Sequence, residues 1–151
     1  MNSKYIIKNN SPLSNIFTCY IKGYHRDVYR SATHYFIKTK QEFFDKNNVE
    51  LAKMILYETD GTKLLNYSRM IQNYDDHMWN KNRYNIMLQI LNKKFTENEY
   101  LYNYLIQTEN KYLLALSNKD NIWGVNIINN NIIGKNLLGN ALMETRYMIK
   151  K

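Results

Sequence analysis

Residues 76–95 read DHMWNKNRYNIMLQILNKKF and contain the longest regular pattern of apolar residues in the chain. The apolar positions that recur at helical spacing are Trp79, Ile86, Met87, Ile90, Leu91 and Phe95. Because residues three or four positions apart share one face of a helix, this stretch predicts an amphipathic α-helix whose apolar stripe faces a core. The stretch therefore favours a fold in which helices dominate.

The segments before this helix predict a β-hairpin followed by shorter helices. Phe17, Cys19 and Ile21 occupy alternate positions, which is the period of a half-buried strand, and a partner strand is predicted at 27–30. Three helices are predicted next: one over 32–45 with Ser31 as N-cap, one from Asn47 or Asn48 to Tyr57, and one over 63–71.

The segments after the long helix mix helical and extended patterns. Thr96 is the predicted N-cap of a helix over 97–107, and short extended pieces are predicted at 112–116 and 123–128. Asn136 is the predicted N-cap of a last helix, whose shared apolar face comprises Leu138, Ala141, Leu142, Thr145 and Met148. The chain shows no internal repeat and no linker. The prediction is one α+β, mostly helical domain over 1–151, with a small β-sheet or hairpin covered by helices.

Length and composition suit a folded domain. The chain has 151 residues, and its 21 Lys and Arg against 13 Asp and Glu give a net charge of +8, which attracts polyanions. Codon bias in an AT-rich genome is an alternative explanation, and in that case the positive charge does not indicate a polyanionic binding partner. The single cysteine, Cys19, has no partner for an internal disulfide, which favours a reducing compartment such as the cytoplasm. No run of 18 apolar residues predicts a membrane span, and residues 1–15 lack the apolar core of a secretory signal.

Several kinds of chemistry lack a motif in this chain. The three histidines and Cys19 show none of the short paired spacings of zinc sites, so no metal site is expected. Neither a Walker lysine loop nor a dinucleotide-binding glycine motif is present, so no cofactor is expected. Cys19 lies on the inward face of the predicted strand, where a thiol is more often packing than nucleophile.

Polar residues beside apolar runs are the remaining candidates for function. They are Asn15, His34, Lys40, Arg83, Asp120, Asn136 and Arg146. Taken singly, each has an ordinary structural explanation. His34 is more often a hydrogen-bonded interior histidine and Lys40 a solvated surface charge. Trp123, which follows Asp120 in the sequence, is more often an aromatic residue packed in a turn. Their order along the chain is more informative than any one of them.

A series of short motifs runs in order along the chain: SPLSN at 11–15, SATH at 31–34 with Lys40 beyond it, Trp79, Arg83 and Met87 at four-residue spacing, KF at 94–95, QT at 107–108, DNIWGV at 120–125, GKNLLG at 134–139, and Leu142-Met143 before Arg146. That ordered series resembles the NADAR (YbiA-like) family from Ser11 to Arg146. The resemblance implies an α+β fold and N-glycosidase activity on a nucleotide that carries ADP-ribose. Family members are associated with riboflavin-pathway intermediates and with ADP-ribosylated guanine in nucleic acid, so nucleic acid is an expected carrier of the modified base.

The resemblance also implies roles for individual residues. Lys40 and Asp120 are the implied catalytic groups, with Lys40 as an amine nucleophile on the ribose. Cations suited to a diphosphate are Lys40, Arg83, Lys135 and Arg146, and Trp79 or Trp123 would offer an aromatic face to a base. The implied ligand-binding residues are Asn15, Thr33, His34, Trp79, Arg83, Trp123, Gly124, Asn136 and Arg146.

The chain departs from the family pattern at the residue before the histidine, where the family has Glu and this chain has Thr33. Loss of one preorganised electrostatic group commonly costs on the order of a hundredfold to a thousandfold in rate. Ile37, Asn126 and Ile132 are further departures, at positions where the family often has Gln, Gly and Trp.

Three interpretations follow from the sequence. The first is a hydrolase in which Lys40 and Asp120 carry the chemistry. The second is a nucleotide sponge that sequesters an ADP-ribose-derived, for example cyclic, signal, as a viral anti-defence protein would. The third is a general nucleic-acid-binding domain that uses the net charge and the many tyrosines. The first two require the segments around His34, Trp79, Trp123 and Asn136 to converge on one cleft.

Overall fold

The structure is a computed structural model and describes residues 3–150. In chain order its elements are β1 (Lys4–Ile7), β2 (Ile21–Lys22), β3 (Val28–Tyr29), α1 (Ala32–Phe44), α2 (Val49–Tyr57), α3 (Gly61–Arg69), α4 (Asp76–Thr96), α5 (Glu99–Ile106), β4 (Tyr112–Ala115), β5 (Asn126–Ile128), β6 (Asn131–Ile133) and α6 (Leu137–Ile149). The predicted α+β, mostly helical class is confirmed.

The fold divides into two compact units. One comprises the residues up to Phe17 together with those from Phe95 onward, and the other comprises Thr18–Lys94. The prediction of a single domain over 1–151 stays a prediction.

The Thr18–Lys94 unit begins with the predicted hairpin. β2 and β3 are antiparallel, with Ile21 opposite Tyr29 and Lys22 opposite Val28. The strand itself is shorter than predicted and starts at Ile21, although the Cys19 amide still donates a hydrogen bond of 2.9 Å to the Arg30 carbonyl oxygen. A short 3-10 turn connects the two strands.

Helices α1 to α3 follow and share an apolar cluster. Their N-caps are Ser31, Asn48 and Asp60, each accepting a backbone hydrogen bond from the first turn of its helix. The clustered side chains are Ile37, Leu51, Ile55, Leu64 and Ile71. The first two predicted helices are confirmed. The third helix was predicted over 63–71 but begins at Gly61, because Asp60 is its N-cap.

Helix α4 confirms the helical pattern predicted for residues 76–95. Most of its predicted stripe is buried, namely Trp79, Met87, Ile90, Leu91 and Phe95. Thr96 is the last residue of α4, so its predicted role as the cap of the next helix is wrong. The cap is Asn98, two residues further on, whose side chain accepts from the Leu101 amide.

The other unit is built on a parallel strand pair that the sequence did not indicate. β1 pairs with β4 from Lys4 opposite Tyr112 to Ile7 opposite Ala115. Helix α6 packs against β4, and α5 packs against α6. β5 and β6 form a separate hairpin whose turn residues, Asn129 and Asn130, both have positive φ.

The inward face of α6 differs from the prediction at one position. Leu138, Ala141, Leu142 and Thr145 are buried as expected. Met148 is 53% exposed, so its placement on this face is wrong, and Ile149 is buried instead. The reason is the helical period, since steps of four, three and four residues from Leu138 lead to Ile149.

Candidate functional site

The amine of Lys40 lies half-buried on α1 among aromatic rings. Its Nζ is 4.6 Å from the centroid of the Tyr74 ring and 5.9 Å from that of Trp79. A long hydrogen bond of 3.5 Å runs from Nζ to Ser68 Oγ. Within residues 3–150, no carboxylate lies at salt-bridge distance from this amine. Burial lowers the pKa of Lys40, because desolvation disfavours the ammonium form. A larger fraction of the amine is therefore neutral, as a nucleophile requires.

Tyr74 lies beside Lys40, and its phenol also responds to the charge of Arg83. Burial raises the pKa of the Tyr74 phenol, a hydrogen bond to Asp76 adds to this rise, and the positive charge of Arg83 opposes it. Arg83 is therefore close enough for its charge to act on Tyr74. One of the cations implied by the family resemblance, Lys40, thus lies beside this ring, and the charge of a second, Arg83, acts on its phenol. No spacing in the sequence relates Tyr74 to Lys40, and sequence reasoning missed it.

Trp79 belongs to an aromatic cluster. It is 5% exposed, and its ring centroid lies 5.0 Å from that of Phe36, 6.0 Å from Phe43 and 5.8 Å from Phe44. Tyr74, in contrast, is 44% exposed. In this unit Tyr74 therefore offers a ligand more accessible aromatic surface than Trp79 does.

His34 uses both ring nitrogens inside the unit. Nδ1 accepts a hydrogen bond of 3.2 Å from the Arg30 amide, so Nε2 carries the proton and donates to the Ile55 carbonyl oxygen at 2.7 Å. The side chain is 1% exposed, and burial lowers its pKa. These bonds tie α1 to the end of α2, which matches the interior-histidine interpretation of the sequence. Its role in ligand binding stays a prediction.

Acidification is expected to weaken the fold through His34. Its folded-state pKa lies below the ordinary value of 6.5, so as the pH falls the unfolded chain takes up the proton first. Above pH 6.5 His34 is neutral in both states, and its full contribution to the free energy of unfolding is present. This contribution is lost as the pH falls from that value through the lowered folded-state pKa. The free energy of unfolding can be measured by urea denaturation at neutral pH and at pH ~5. Its decrease between these two pH values should be smaller in His34→Gln than in the parent. Equal losses would contradict this role.

Thr33 occupies the first turn of α1 and is partly exposed. Thr33 and Lys40 are seven residues apart, so they share one face of the helix at a separation of about 10 Å along its axis. A carboxylate at position 33 would therefore lie on the same face as the amine. The hydroxyl of Thr33 provides no such charge.

Lys94, in the KF motif, is a second lysine with a lowered pKa. Burial lowers the pKa of Lys94 to about 8, and the nearby Cys19 thiol opposes this shift. The side chain is 1% exposed. A ligand has no access to this amine in the structure, so Lys40 is the better candidate nucleophile.

In the unit that contains the chain ends, Asp120 organises a loop. Its Oδ1 accepts hydrogen bonds from the backbone amides of Ile122 and Trp123, both at 2.9 Å. The Asp120 amide donates to Ser117 Oγ at 3.1 Å. Asp120 is exposed, so its carboxylate has access to solvent while it holds the loop that carries Trp123 and Gly124.

Asn136 joins the start of α6 to β4. Its Oδ1 accepts from the Ala115 amide at 3.0 Å, and its Nδ2 donates to the Leu113 carbonyl oxygen at 2.9 Å. The residue stands at the N-cap position with φ 54°, but its side chain makes no capping hydrogen bond. The predicted capping role is therefore wrong, because both polar atoms of the amide are used on β4.

Close backbone packing explains two glycines near Asn136. A Cβ at Gly124 would lie 2.8 Å from the Ala115 carbonyl oxygen, and a Cβ at Gly139 would overlap the Leu113 carbonyl oxygen. The WG and GKNLLG motifs therefore have a structural role around β4. Contact of Gly124 or Asn136 with a ligand stays a prediction.

Arg146 and Asn15 differ in their hydrogen bonding. The guanidinium of Arg146 donates to Thr108 Oγ1 at 2.8 Å and to the Lys111 carbonyl oxygen at 3.0 Å, and burial lowers its pKa. Arg146 thus ties α6 to the turn before β4. Among residues 3–150, no group donates a hydrogen bond to the buried side-chain oxygen of Asn15, so this oxygen can accept one from a ligand.

The structure brings part of the predicted site together. In one unit Lys40 lies near Tyr74 and Trp79, and the charge of Arg83 acts on Tyr74; in the other, the loop from Asp120 to Gly124 meets Asn136. Convergence of all these segments on one cleft stays a prediction.

Residues 3–150 contain neither a cluster of metal-binding side chains nor a helix suited to a membrane. Within this part of the chain, no group of three or more His, Cys, Asp or Glu side chains is placed to hold a metal ion. No helix there combines the length and apolar character needed to cross a bilayer.

Known proteins show similarity in sequence and in structure. The chain is 31% identical over 111 residues to an N-glycosidase of Acanthamoeba polyphaga mimivirus, covering 74% of this chain and 64% of that protein. It is 30% identical over 117 residues to a riboflavin biosynthesis protein of Vibrio vulnificus, covering 78% of this chain and 30% of that protein. The chain therefore spans less than two thirds of the length of either relative.

The NMR structure of the Escherichia coli protein YbiA has the same fold. It matches with a TM-score of 0.80 at 22% identity, covering 99% of this chain and 86% of the YbiA chain. The sequence profile of the NADAR domain matches residues 3–150. Since this match covers nearly the whole sequence, the chain belongs to the NADAR family.

Proposed function

We propose that this protein hydrolyses an N-glycosidic bond in a nucleotide that carries ADP-ribose, releasing the attached base or amine. The observation that carries the proposal is the Lys40 amine, which is half-buried, has a lowered pKa and lies beside Tyr74 and Ser68 with Arg83 nearby. Similarity to a viral N-glycosidase supports the same class of reaction.

Lys40 would act as a nucleophile on the ribose. The neutral amine forms a bond to C1 as the bond between C1 and the base nitrogen breaks, and the base leaves with that electron pair and gains a proton. Opening of the ribose ring then gives a protonated Schiff base between C1 and Nζ. Water adds to C1, ADP-ribose departs and the amine is regenerated. Arg83 is suited to bind the diphosphate, because a guanidinium contacts two phosphate oxygens at once.

The substrate class can be tested by direct incubation. The protein is mixed separately with ADP-ribose, cyclic ADP-ribose isomers and DNA that carries ADP-ribosylated guanine, and each mixture is then denatured and extracted. Free ADP-ribose from the modified DNA supports the glycosidase. Release of an intact nucleotide only on denaturation supports sequestration instead.

Sequestration is the second candidate function, and Thr33 is the observation that favours it. Without a carboxylate at position 33, the developing positive charge on the ribose lacks one stabilising group. Such a protein would hold an ADP-ribose-derived signalling nucleotide without cleaving it. A virus that opposes nucleotide-based defence would use a protein of this kind.

Replacing Thr33 by Glu is expected to increase hydrolysis. A carboxylate on the face of α1 that carries Lys40 should raise the rate by up to about a hundredfold. Thr33→Gln is the matched control, because it has nearly the same shape as Glu without the charge. Single-turnover product formation measures the effect, and equal rates in the Glu and Gln variants would exclude an electrostatic role for position 33.

The chain's composition bears on partners and location. A net charge of +8 would attract a nucleic acid that carries the modified base. We propose a cytoplasmic location, because Cys19 is the single cysteine of the sequence and cannot form a disulfide within the chain, which suits a reducing compartment.

A further inference from the structure

Tyr74 lies against Lys40 and outside the motifs shared with the NADAR family. The Lys40 Nζ stands 4.6 Å from the centroid of its ring. This is the shorter of the two aromatic contacts of the amine, the other being 5.9 Å to Trp79. At such a distance the negative face of the ring attracts the ammonium, and the ring also shields it from water.

The Tyr74 ring is held from two sides. Its hydroxyl donates a hydrogen bond of 2.9 Å to Asp76 Oδ1 in the first turn of α4. Its ring meets the Phe44 ring edge-on at 5.2 Å. The segment before it is also anchored, because the Gln72 amide donates to Asp45 Oδ2 at 3.2 Å. A ring fixed in this way holds the group above it with little further loss of entropy.

We propose that Tyr74 is a positioning residue that holds the Lys40 amine and shields it from water through the face of its ring. The effect of Tyr74 on catalysis rests on the glycosidase function proposed above. The placement of the amine does not depend on that function and can be measured without any substrate.

Two opposing effects of the ring decide what its removal does. The ring face stabilises the ammonium, whereas its bulk excludes water and favours the neutral amine. The charged groups whose fields reach Tyr74 are Asp75, Asp76 and Arg83, and none of them contributes to the lowered pKa of Lys40, whose cause is desolvation. Because desolvation is the cause of the lowered pKa of Lys40, we expect exposure of the amine to water to be the larger effect, so that removal of the ring raises this pKa.

The test is the pH dependence of Lys40 acylation by acetic anhydride, followed by peptide mass spectrometry. In Tyr74→Leu, the reactivity of Lys40 at neutral pH should fall about threefold to tenfold as its pKa rises by up to one unit. Tyr74→Phe keeps the ring and should restore the parent profile. Tyr57→Leu, at an exposed tyrosine on α2, is the matched control and should leave Lys40 unchanged.

An unchanged or lowered pKa of Lys40 in Tyr74→Leu would overturn the proposal. Should that variant fail to fold, as judged by circular dichroism, Tyr74→Met provides the same comparison with a more adaptable side chain. If the protein hydrolyses its substrate, Tyr74→Leu should lower kcat about threefold to tenfold with KM unchanged. A raised KM with unchanged kcat would instead assign Tyr74 to substrate binding and overturn a positioning role. Absence of hydrolysis in the parent contradicts only the proposed function, because the acylation profile still decides the role of Tyr74.

Discussion

Replacing Lys40 by Met is expected to abolish turnover and to leave the fold intact. Methionine is unbranched and about as long as the lysine side chain, so it can occupy the space beside Tyr74 and Trp79. It has no amine, and loss of a nucleophile commonly lowers kcat by about a thousandfold or more. Release of ADP-ribose, measured by chromatography, gives the rate, and circular dichroism with thermal unfolding reports the fold.

Two control variants separate charge from nucleophilicity. Lys40→Arg keeps a cation near Tyr74 but has no amine that is neutral near pH 7, so ligand binding should persist while turnover is lost. Lys53→Met removes an exposed lysine on α2 and should leave turnover unchanged.

Chemical trapping tests the covalent step itself. Sodium cyanoborohydride added during turnover should reduce the Schiff base and leave a stable adduct on the peptide that contains Lys40. Unchanged turnover in Lys40→Met, or an adduct at another lysine such as Lys94, would remove Lys40 from the mechanism.

Replacing Asn136 by Ala is expected to cause a large loss of stability. The change leaves the Ala115 amide and the Leu113 carbonyl oxygen without the hydrogen bonds that Asn136 provides in the buried interior. Each orphaned buried group costs about 1–3 kcal/mol, and alanine in the left-handed region adds about 1–2 kcal/mol. The free energy of unfolding, measured by urea denaturation, should therefore fall by about 3–8 kcal/mol.

The contributions at position 136 can be separated. Asn136→Gly tolerates the φ of 54°, so it should lose the hydrogen bonds without the left-handed penalty. Asn140→Ala is the matched control, because its side chain makes only one longer hydrogen bond of 3.3 Å, to the Lys135 carbonyl oxygen. A loss in Asn136→Ala no greater than that in Asn140→Ala would show that the amide does not support β4.

Local interactions explain why several elements could be predicted. Ser31 caps α1 with its own side chain, and the bond it accepts comes from His34, three residues away. The β2–β3 hairpin likewise closes over a few residues. Signals of this kind lie within a short window of sequence, which is why the starts of α1 and α2 and the position of the hairpin could be predicted.

Pairing between distant segments explains what was missed. β1 finds its partner in β4, more than 100 residues later, and a four-residue strand has no local pattern that names its partner. The candidate site shows the same limit. Family resemblance pointed to Lys40, but only the structure showed that the Lys40 amine lies beside the Tyr74 ring.

By itself, the sequence determined the helical spacing, the caps of α1 and α2 and the order of motifs that identifies the family, because each depends on residues close together in the chain or on their order. The tertiary structure alone decided how the side chains are used. Asn136 serves β4 and not its own helix, His34 is enclosed by two backbone partners, and the Lys40 amine rests on Tyr74. Hydrogen bonding, burial and the resulting pKa are set by neighbours that folding brings together, and these neighbours are distant in the sequence.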